Sequence, residues 1–230
     1  MRRAIEPEFL DELPPTDARA RHSRRDLRTI NRIMQNARIA ARGLRARPGR
    51  PPLASLVELG AGDGTFALAL IRRLGHSTAR RRVVLVDRQP CVDDRTRAAF
   101  DALSWDVEIV ESDVFDWLDR GSLFAADVTF ANLFLHHFDD RRLSALLRGA
   151  ASRTRCFLAC EPLRSYTALS AATMLPLIGC NLVTLHDARI SVRAGFRDRE
   201  LSSLWPAGNG WRLLERRAGL FTHNFVARHG

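Results

Sequence analysis

In the stretch VELGAGDGTF, residues 57–66, three glycines fall at every second position (Gly60, Gly62, Gly64) behind Glu58 and ahead of an apolar run. A glycine loop between a strand and a helix lets a ligand approach the backbone at the carboxyl edge of an open α/β sheet. Two phosphate-binding readings fail here. The dinucleotide fingerprint from Gly60 needs glycine where Thr65 stands, and a P-loop needs a Gly-Lys-Ser/Thr ending. Glu58 and Asp63 beside the glycines are awkward for a pyrophosphate and suit a cation. Asp87 closes the run VVLVD, 25 residues after Gly62, where a carboxylate can accept hydrogen bonds from both hydroxyls of a ribose. In ESDVF, Asp113 and the Val114 backbone fall where an adenine amino group and ring nitrogen can be read. A cationic nucleoside without phosphate meets all of these conditions, and S-adenosylmethionine is such a ligand.

These residues need strand ends to stand on, and the sequence supplies them. Apolar runs at 53–59, 82–87, 106–112, 126–132 and 155–161 alternate with helix-like segments at 64–75, 93–103 and 139–151. Continuous Val/Leu/Ile strands separated by helices predict a doubly wound, mostly parallel sheet covered on both faces. The ending differs. GWRLLERRA and LFTHNFVARH meet at Gly219 with no helix between them, which predicts a terminal antiparallel hairpin. Leu27, Ile30, Ile33, Met34 and Ala37 recur at helical spacing within 16–47, and RPGRPP at 47–52 breaks that helix. The organisation expected is an Arg-rich helical arm and linker at 1–52, then a domain at 53–230 in which 162–197 is a lid inserted on the substrate side.

Composition excludes several classes. The formal charge is +10, and all 36 basic residues are arginine. Residues 1–50 carry 13 arginines against six acids, so the basic excess belongs mostly to the arm and is weak evidence for nucleic acid elsewhere. The start lacks the apolar core of a signal peptide, which points to the cytoplasm. The uncharged stretch from Ser165 to Leu185 is long enough to span a bilayer but contains Pro176, Gly179, Asn181 and several hydroxyls, so a buried or lid-forming segment is expected. Cys156 and Cys160 share a predicted strand without a second ligand pair; they read as buried thiols, and no metal site is expected.

VELGAGDG, LVDRQP, ESDVF and ANLFLHHF resemble, in order, the motifs of class I S-adenosylmethionine-dependent methyltransferases, over roughly residues 53–161. The resemblance implies a seven-stranded Rossmann-like sheet whose last hairpin supplies one antiparallel strand. It implies that Glu58, Gly60, Ala61, Gly62, Asp87, Arg88, Asp113, Val114 and Asn132 surround the methyl donor, with Asn132 at the methionine end.

The acceptor is less constrained. Asn132-Leu133-Phe134-Leu135 lacks the two prolines that follow the fourth strand in nucleic-acid amino-methyltransferases, which disfavours base N-methylation. LHHF is similar to the segment that supplies the general base in plant-type small-molecule O-methyltransferases, which implies His136 as the base, while His137 replaces an acidic residue of that pattern. A histidine titrates near neutrality and can take a phenolic or enolic proton. His137, His186, Arg189 and Arg193 are expected on the acceptor side. The reading is methyl transfer to oxygen or carbon of an apolar aromatic, quinone-like or polyketide-like molecule. An RNA methyltransferase using the basic arm, or a binding module without turnover, are the alternatives.

Overall fold

The structure, a computed structural model, describes residues 1–14, 16–45, 53–75, 79–120, 125–208 and 210–230. The linker expected at 47–52 lies outside the described residues. An extended N-terminal segment holds one helical turn, α1 (Phe9–Glu12). The arm then forms α2 (Ala18–Met34), capped by the Asp17 carboxylate on the Arg19 amide at 2.7 Å, and breaks where Gln35 adopts a left-handed conformation. α3 (Asn36–Arg45) follows.

Alternation of strands and helices then runs as the apolar pattern predicts: β1 (Ser55–Leu59), α4 (Thr65–Leu74), β2 (Arg81–Asp87), α5 (Asp94–Asp101) and β3 (Trp105–Glu111). Next come α6 (Val114–Asp119), β4 (Val128–Asn132), α7 (Asp140–Ala151) and β5 (Cys156–Pro162). α8 (Tyr166–Thr173), a 3-10 turn at Leu175–Ile178, α9 (Leu182–Ala194) and α10 (Glu200–Leu204) lead to β6 (Trp211–Ala218) and β7 (Thr222–His229). The seven strands lie in the order β3-β2-β1-β4-β5-β7-β6, parallel except for β7, which runs antiparallel to both β5 and β6. β4 leaves β1 on the side away from β2, so the strand order reverses at β1, and a ligand crevice opens at that switch point.

The sheet has two cores. On one face Leu56, Val83, Leu85, Phe130 and Leu158 pack against α4 and α5; on the other Val57, Val84, Phe157 and Phe225 pack against α6, α7 and α10. α3 belongs to the first core through Ala40, Ala41 and Leu44. The arm is therefore part of the covering layer of the sheet, and a boundary at residue 52 does not separate two cores. α9 bridges arm and sheet: Thr184 donates to Asp26 of α2 at 2.8 Å, and the Asn181 amide reaches the same carboxylate at 3.0 Å. The stretch 165–185 is divided among α8, the 3-10 turn and the start of α9, and no described helix is long and apolar enough to cross a membrane.

Candidate active site

The chain leaves β1 through Gly60, Gly62 and Gly64, all at positive φ. At Gly60 the requirement is also steric, because a Cβ would lie 2.2 Å from the edge of the Phe134 ring. The loop amides are engaged within the protein. Gly60 and Ala61 donate to the Val86 carbonyl at 2.9 and 3.1 Å, Gly62 to Asp87 at 2.8 Å, and Gly64 to the Ala61 carbonyl at 2.8 Å. A pyrophosphate would need such amides free, so the hydrogen bonding agrees with a ligand that carries no phosphate. Asp87 accepts from Gly62 and, at 2.8 Å, from the Gln89 amide; a carboxylate with about four acceptor positions retains capacity for a diol.

Glu58, Gly60, Ala61, Gly62, Asp87 and Asn132 line a cavity of about 190 Å³ beside this loop. Glu58 is 2% exposed, and among the described residues its Oε2 has no hydrogen-bond partner. Burial, and then the neighbouring charges of Asp63 and Asp87, push its carboxyl well above the usual range. An orphaned acid beside glycines fits an incoming ammonium group, as the methionine end of S-adenosylmethionine would supply. Asn132 is held from the arm: its amide donates to Asn31 at 2.9 Å, and its oxygen accepts from Asn36, also at 2.9 Å. Asp113 caps α6 by accepting from the Phe115 amide at 2.8 Å. Asp113, Val114 and Arg88 line a second, larger cavity.

That larger cavity has about 660 Å³, and its wall includes Leu27, Ile30 and Met34 of the arm with Leu175 and Ile178 of the segment after β5. The two cavities share Gly60, Asp87, Arg88 and Leu133 at the switch point, together with Leu10, Asp11 and Leu27 from the N-terminal side, so they meet there. Leu133 holds a left-handed backbone (φ 52°), uncommon for a branched apolar residue and found here where β4 turns into the 3-10 segment bearing His136 and His137.

His136 lines the larger cavity and is 2% exposed, with both ring nitrogens bonded to carboxylates: Nδ1 to Glu161 at 2.8 Å and Nε2 to Glu8 at 3.3 Å. Burial lowers its pKa, but the hydrogen bonds and charges of Glu161 and Glu8 outweigh burial and raise it to about 9. Glu161 is the penultimate residue of β5, and its second oxygen accepts from the Phe134 and Leu135 amides at 3.1 and 3.0 Å. A ring that donates on both sides has no lone pair for a substrate until Nε2 loses its proton and Glu8 gives way. His137 also lines the cavity and pairs with Asp11 at 3.3 Å.

Of the residues expected near the acceptor, His186, Arg189 and Arg193 are not brought to either cavity wall. The buried positions of α9 are Val183, Thr184, Asp187, Ile190 and Ala194, and it is Asp187, Ala188, Ser191 and Val192 that line the cavity. His186 instead stacks on Phe9 with ring centroids 3.8 Å apart, and Arg189 is exposed. The N-terminal segment takes the place these residues were expected to hold. Arg3 donates to the Ala194 and Phe138 carbonyls, both at 2.9 Å, and Asp187 accepts from the Phe9 and Leu10 amides.

Glu161, Glu8 and Asp11 are the groups that the sequence reading misses. Glu161 had a signal: it is an acid closing an apolar strand, as Asp87 is. Glu8 and Asp11 had none, since the first 15 residues show no periodicity that would dock them.

The strand order and the glycine loop define the class by fold: the chain has the Rossmann-like fold of methyltransferases, with a seven-stranded, mostly parallel sheet. Residues 56–155 match the family described as a methyltransferase domain. No curated protein matches the chain in sequence. Among solved structures, an O-methyltransferase family protein from Burkholderia thailandensis is 17% identical with a TM-score of 0.56 over 94% of this chain and 64% of its own. The mitomycin 7-O-methyltransferase MmcR is 20% identical with a TM-score of 0.56, covering 96% of this chain and 60% of that one. The plantazolicin methyltransferase BpumL, solved with S-adenosylhomocysteine, is 9% identical with a TM-score of 0.66 over 94% and 92%. The chain thus spans less than two thirds of the length of the first and second of these proteins.

Proposed function

We propose that the protein transfers the methyl group of S-adenosylmethionine to oxygen or carbon of an apolar aromatic, quinone-like or polyketide-like small molecule. The observation that carries this reading is the junction of a polar, acid-lined cavity at the glycine loop with a larger, mainly apolar one, with His136 in the wall of the second. When bound, the donor supplies an already activated methyl on a sulfonium, so the protein's work is alignment and exclusion of water. Glu58 would meet the ammonium, Asp87 the ribose, Asp113 and the Val114 backbone the adenine, and Asn132 the methionine end. The wall formed by Ile30, Met34, Leu175 and Ile178 would orient an apolar acceptor. His136, held by Glu161, would hand its Nε2 proton to Glu8, which leaves as the neutral acid, and the freed Nε2 would then accept the proton that the nucleophilic atom of the acceptor gives up. Reported solved neighbours whose names specify small-molecule acceptors support the class of substrate. Four free cysteines fit a reducing compartment, and we place the enzyme in the cytoplasm.

The test is incubation with labelled S-adenosylmethionine and extracted lipophilic phenols. Label should enter the organic fraction with the native protein and not with Asp87→Ala; failure to bind the donor by calorimetry would overturn the class of activity.

The exposed arginines Arg21, Arg25 and Arg32 of α2 favour the second reading, an RNA acceptor. It requires RNA affinity that falls steeply with salt.

A further inference from the structure

In the wall of the larger cavity, one carboxylate and two imidazoles from distant parts of the chain converge: Glu8, His136 and His137 each offer a ligand atom, all within 4.8 Å of one another. We infer that these three side chains form a binding site for a divalent transition-metal cation of the zinc type.

The donor set is two nitrogens and one oxygen, the chemistry that zinc, cobalt and their neighbours accept. The spacing of one pair already agrees with it, and the His137 ligand atom lies within 4.8 Å of both. Ligands held at about 2.0–2.1 Å from a tetrahedral ion lie about 3.4 Å from each other, and Glu8 Oε1 and His136 Nε2 are 3.3 Å apart. The support expected around a metal-binding histidine is also present. His136 Nδ1 meets Glu161 at 2.8 Å, which fixes a proton on Nδ1, and an ion at Nε2 would replace the proton through which that nitrogen bonds Glu8. Glu161 is itself fixed by two backbone amides, and Glu8 is held by the Ser191 hydroxyl, which also bonds the Asp187 carbonyl.

Charge points the same way. Besides Glu8 and Glu161, Asp11 lies against His137, and Asp187 is buried close enough to Glu8 to feel its charge. Four carboxylates around two imidazoles give a corner that a divalent cation would neutralise. Three protein ligands leave a further coordination position, and the cavity lies next to it, as in zinc sites that act on a substrate. An acceptor that presents an ionised hydroxyl or enolate oxygen is the ligand class suited to that position. The ion site goes beyond the methyl-transfer reading, and an ion on Nε2 would take over from the imidazole the task of holding the acceptor oxygen in its ionised form.

The experiment is calorimetric titration of the metal-stripped full chain with Zn²⁺, with Co²⁺ absorption as a second readout of the coordination sphere. Native protein should bind one ion per chain and give the intense visible bands of four-coordinate cobalt. Glu8→Gln and His137→Ala should each weaken binding by tenfold or more and flatten those bands, while S-adenosylhomocysteine affinity, measured in parallel, reports that the variants are folded. Absence of stoichiometric binding by the native chain overturns the inference, and so does binding that persists unchanged in both variants, because the ion then sits elsewhere. Loss of S-adenosylhomocysteine binding in the native chain would count against the methyltransferase reading and leave the ion titration interpretable on its own.

Discussion

Glu161, the penultimate residue of β5, meets His136, four residues beyond the end of β4, at 2.8 Å, and both side chains are buried. Adjacent parallel strands bring the two together: Asn132 pairs with Cys160 in register, so the residues just past each position share one end of the sheet. The acid also receives the two amides that start the 3-10 segment, which couples the orientation of the imidazole to the local backbone.

Replacing Glu161 by alanine should therefore act on both stability and turnover. Removing one partner of a buried ion pair costs about 3–5 kcal/mol, and with His136 in the proposed role of base, loss of its orienting group would lower the rate roughly 100-fold or more. Chemical denaturation and steady-state kinetics check the two effects. Glu161→Gln, which can still accept from the Phe134 and Leu135 amides, should recover much of the stability and little of the turnover. Equal recovery of both would show that the acid is only a scaffold.

Glu58 predicts a proton linkage. Its carboxyl is raised by burial and by Asp63 and Asp87, so in the unliganded protein the neutral form is favoured over a range of pH in which an exposed glutamate would be ionised. An ammonium group favours the ionised form, so donor binding should release protons, and affinity should increase as pH rises toward the raised value and level off above it. Calorimetry of S-adenosylhomocysteine in two buffers of different ionisation enthalpy measures the proton count. Glu58→Gln should abolish the release and weaken binding by roughly tenfold; identical heats in both buffers for the native protein would sink the linkage.

Gly60→Ala tests the approach of the loop to Phe134. A left-handed conformation costs a non-glycine residue about 1–2 kcal/mol, and here the added methyl must also displace the Phe134 ring. Loss of donor binding with a lower melting temperature is expected. Gly62→Ala, where a Cβ meets nothing within 4 Å, should carry only the backbone cost. Similar losses at both positions would contradict the steric account.

The asparagine chain joining arm to sheet predicts a longer-range effect. Asn36 is fully buried, donates to Asn132 at 2.9 Å and accepts from Thr222 at 2.7 Å. Asn36→Leu should leave those partners unsatisfied at a cost of about 1–3 kcal/mol each. It should also weaken donor binding through Asn132, although residue 36 itself lines neither cavity. Thermal unfolding and donor titration on the same variant measure both.

Much of this molecule was legible from short stretches of chain. Parallel strands buried on both faces read as apolar runs, so Val83–Val86 and Phe157–Cys160 announce themselves without any partner in view, and Leu56–Leu59 does so with Glu58 as its one polar interruption. The glycine loop and the acids at strand ends follow from the same local logic, because Gly60, Asp87 and Asp113 are each fixed by the few residues around them. The face of α9 was also readable in principle: Val183, Asp187, Ile190 and Ala194 mark its inward side at helical spacing and leave Arg189 outside.

Only the folded chain decided the composition of the acceptor end. Glu8 and His136 are 128 residues apart in sequence and meet because Arg3 and the amides of Phe9 and Leu10 fasten an otherwise patternless segment to α9 and to the turn after β4. A side chain can be assigned from sequence when its neighbours along the chain fix its direction. The Glu8 carboxylate is directed by groups that the rest of the fold brings to it, and the same is true of every bond that turns His136 from a free imidazole into one held between two acids.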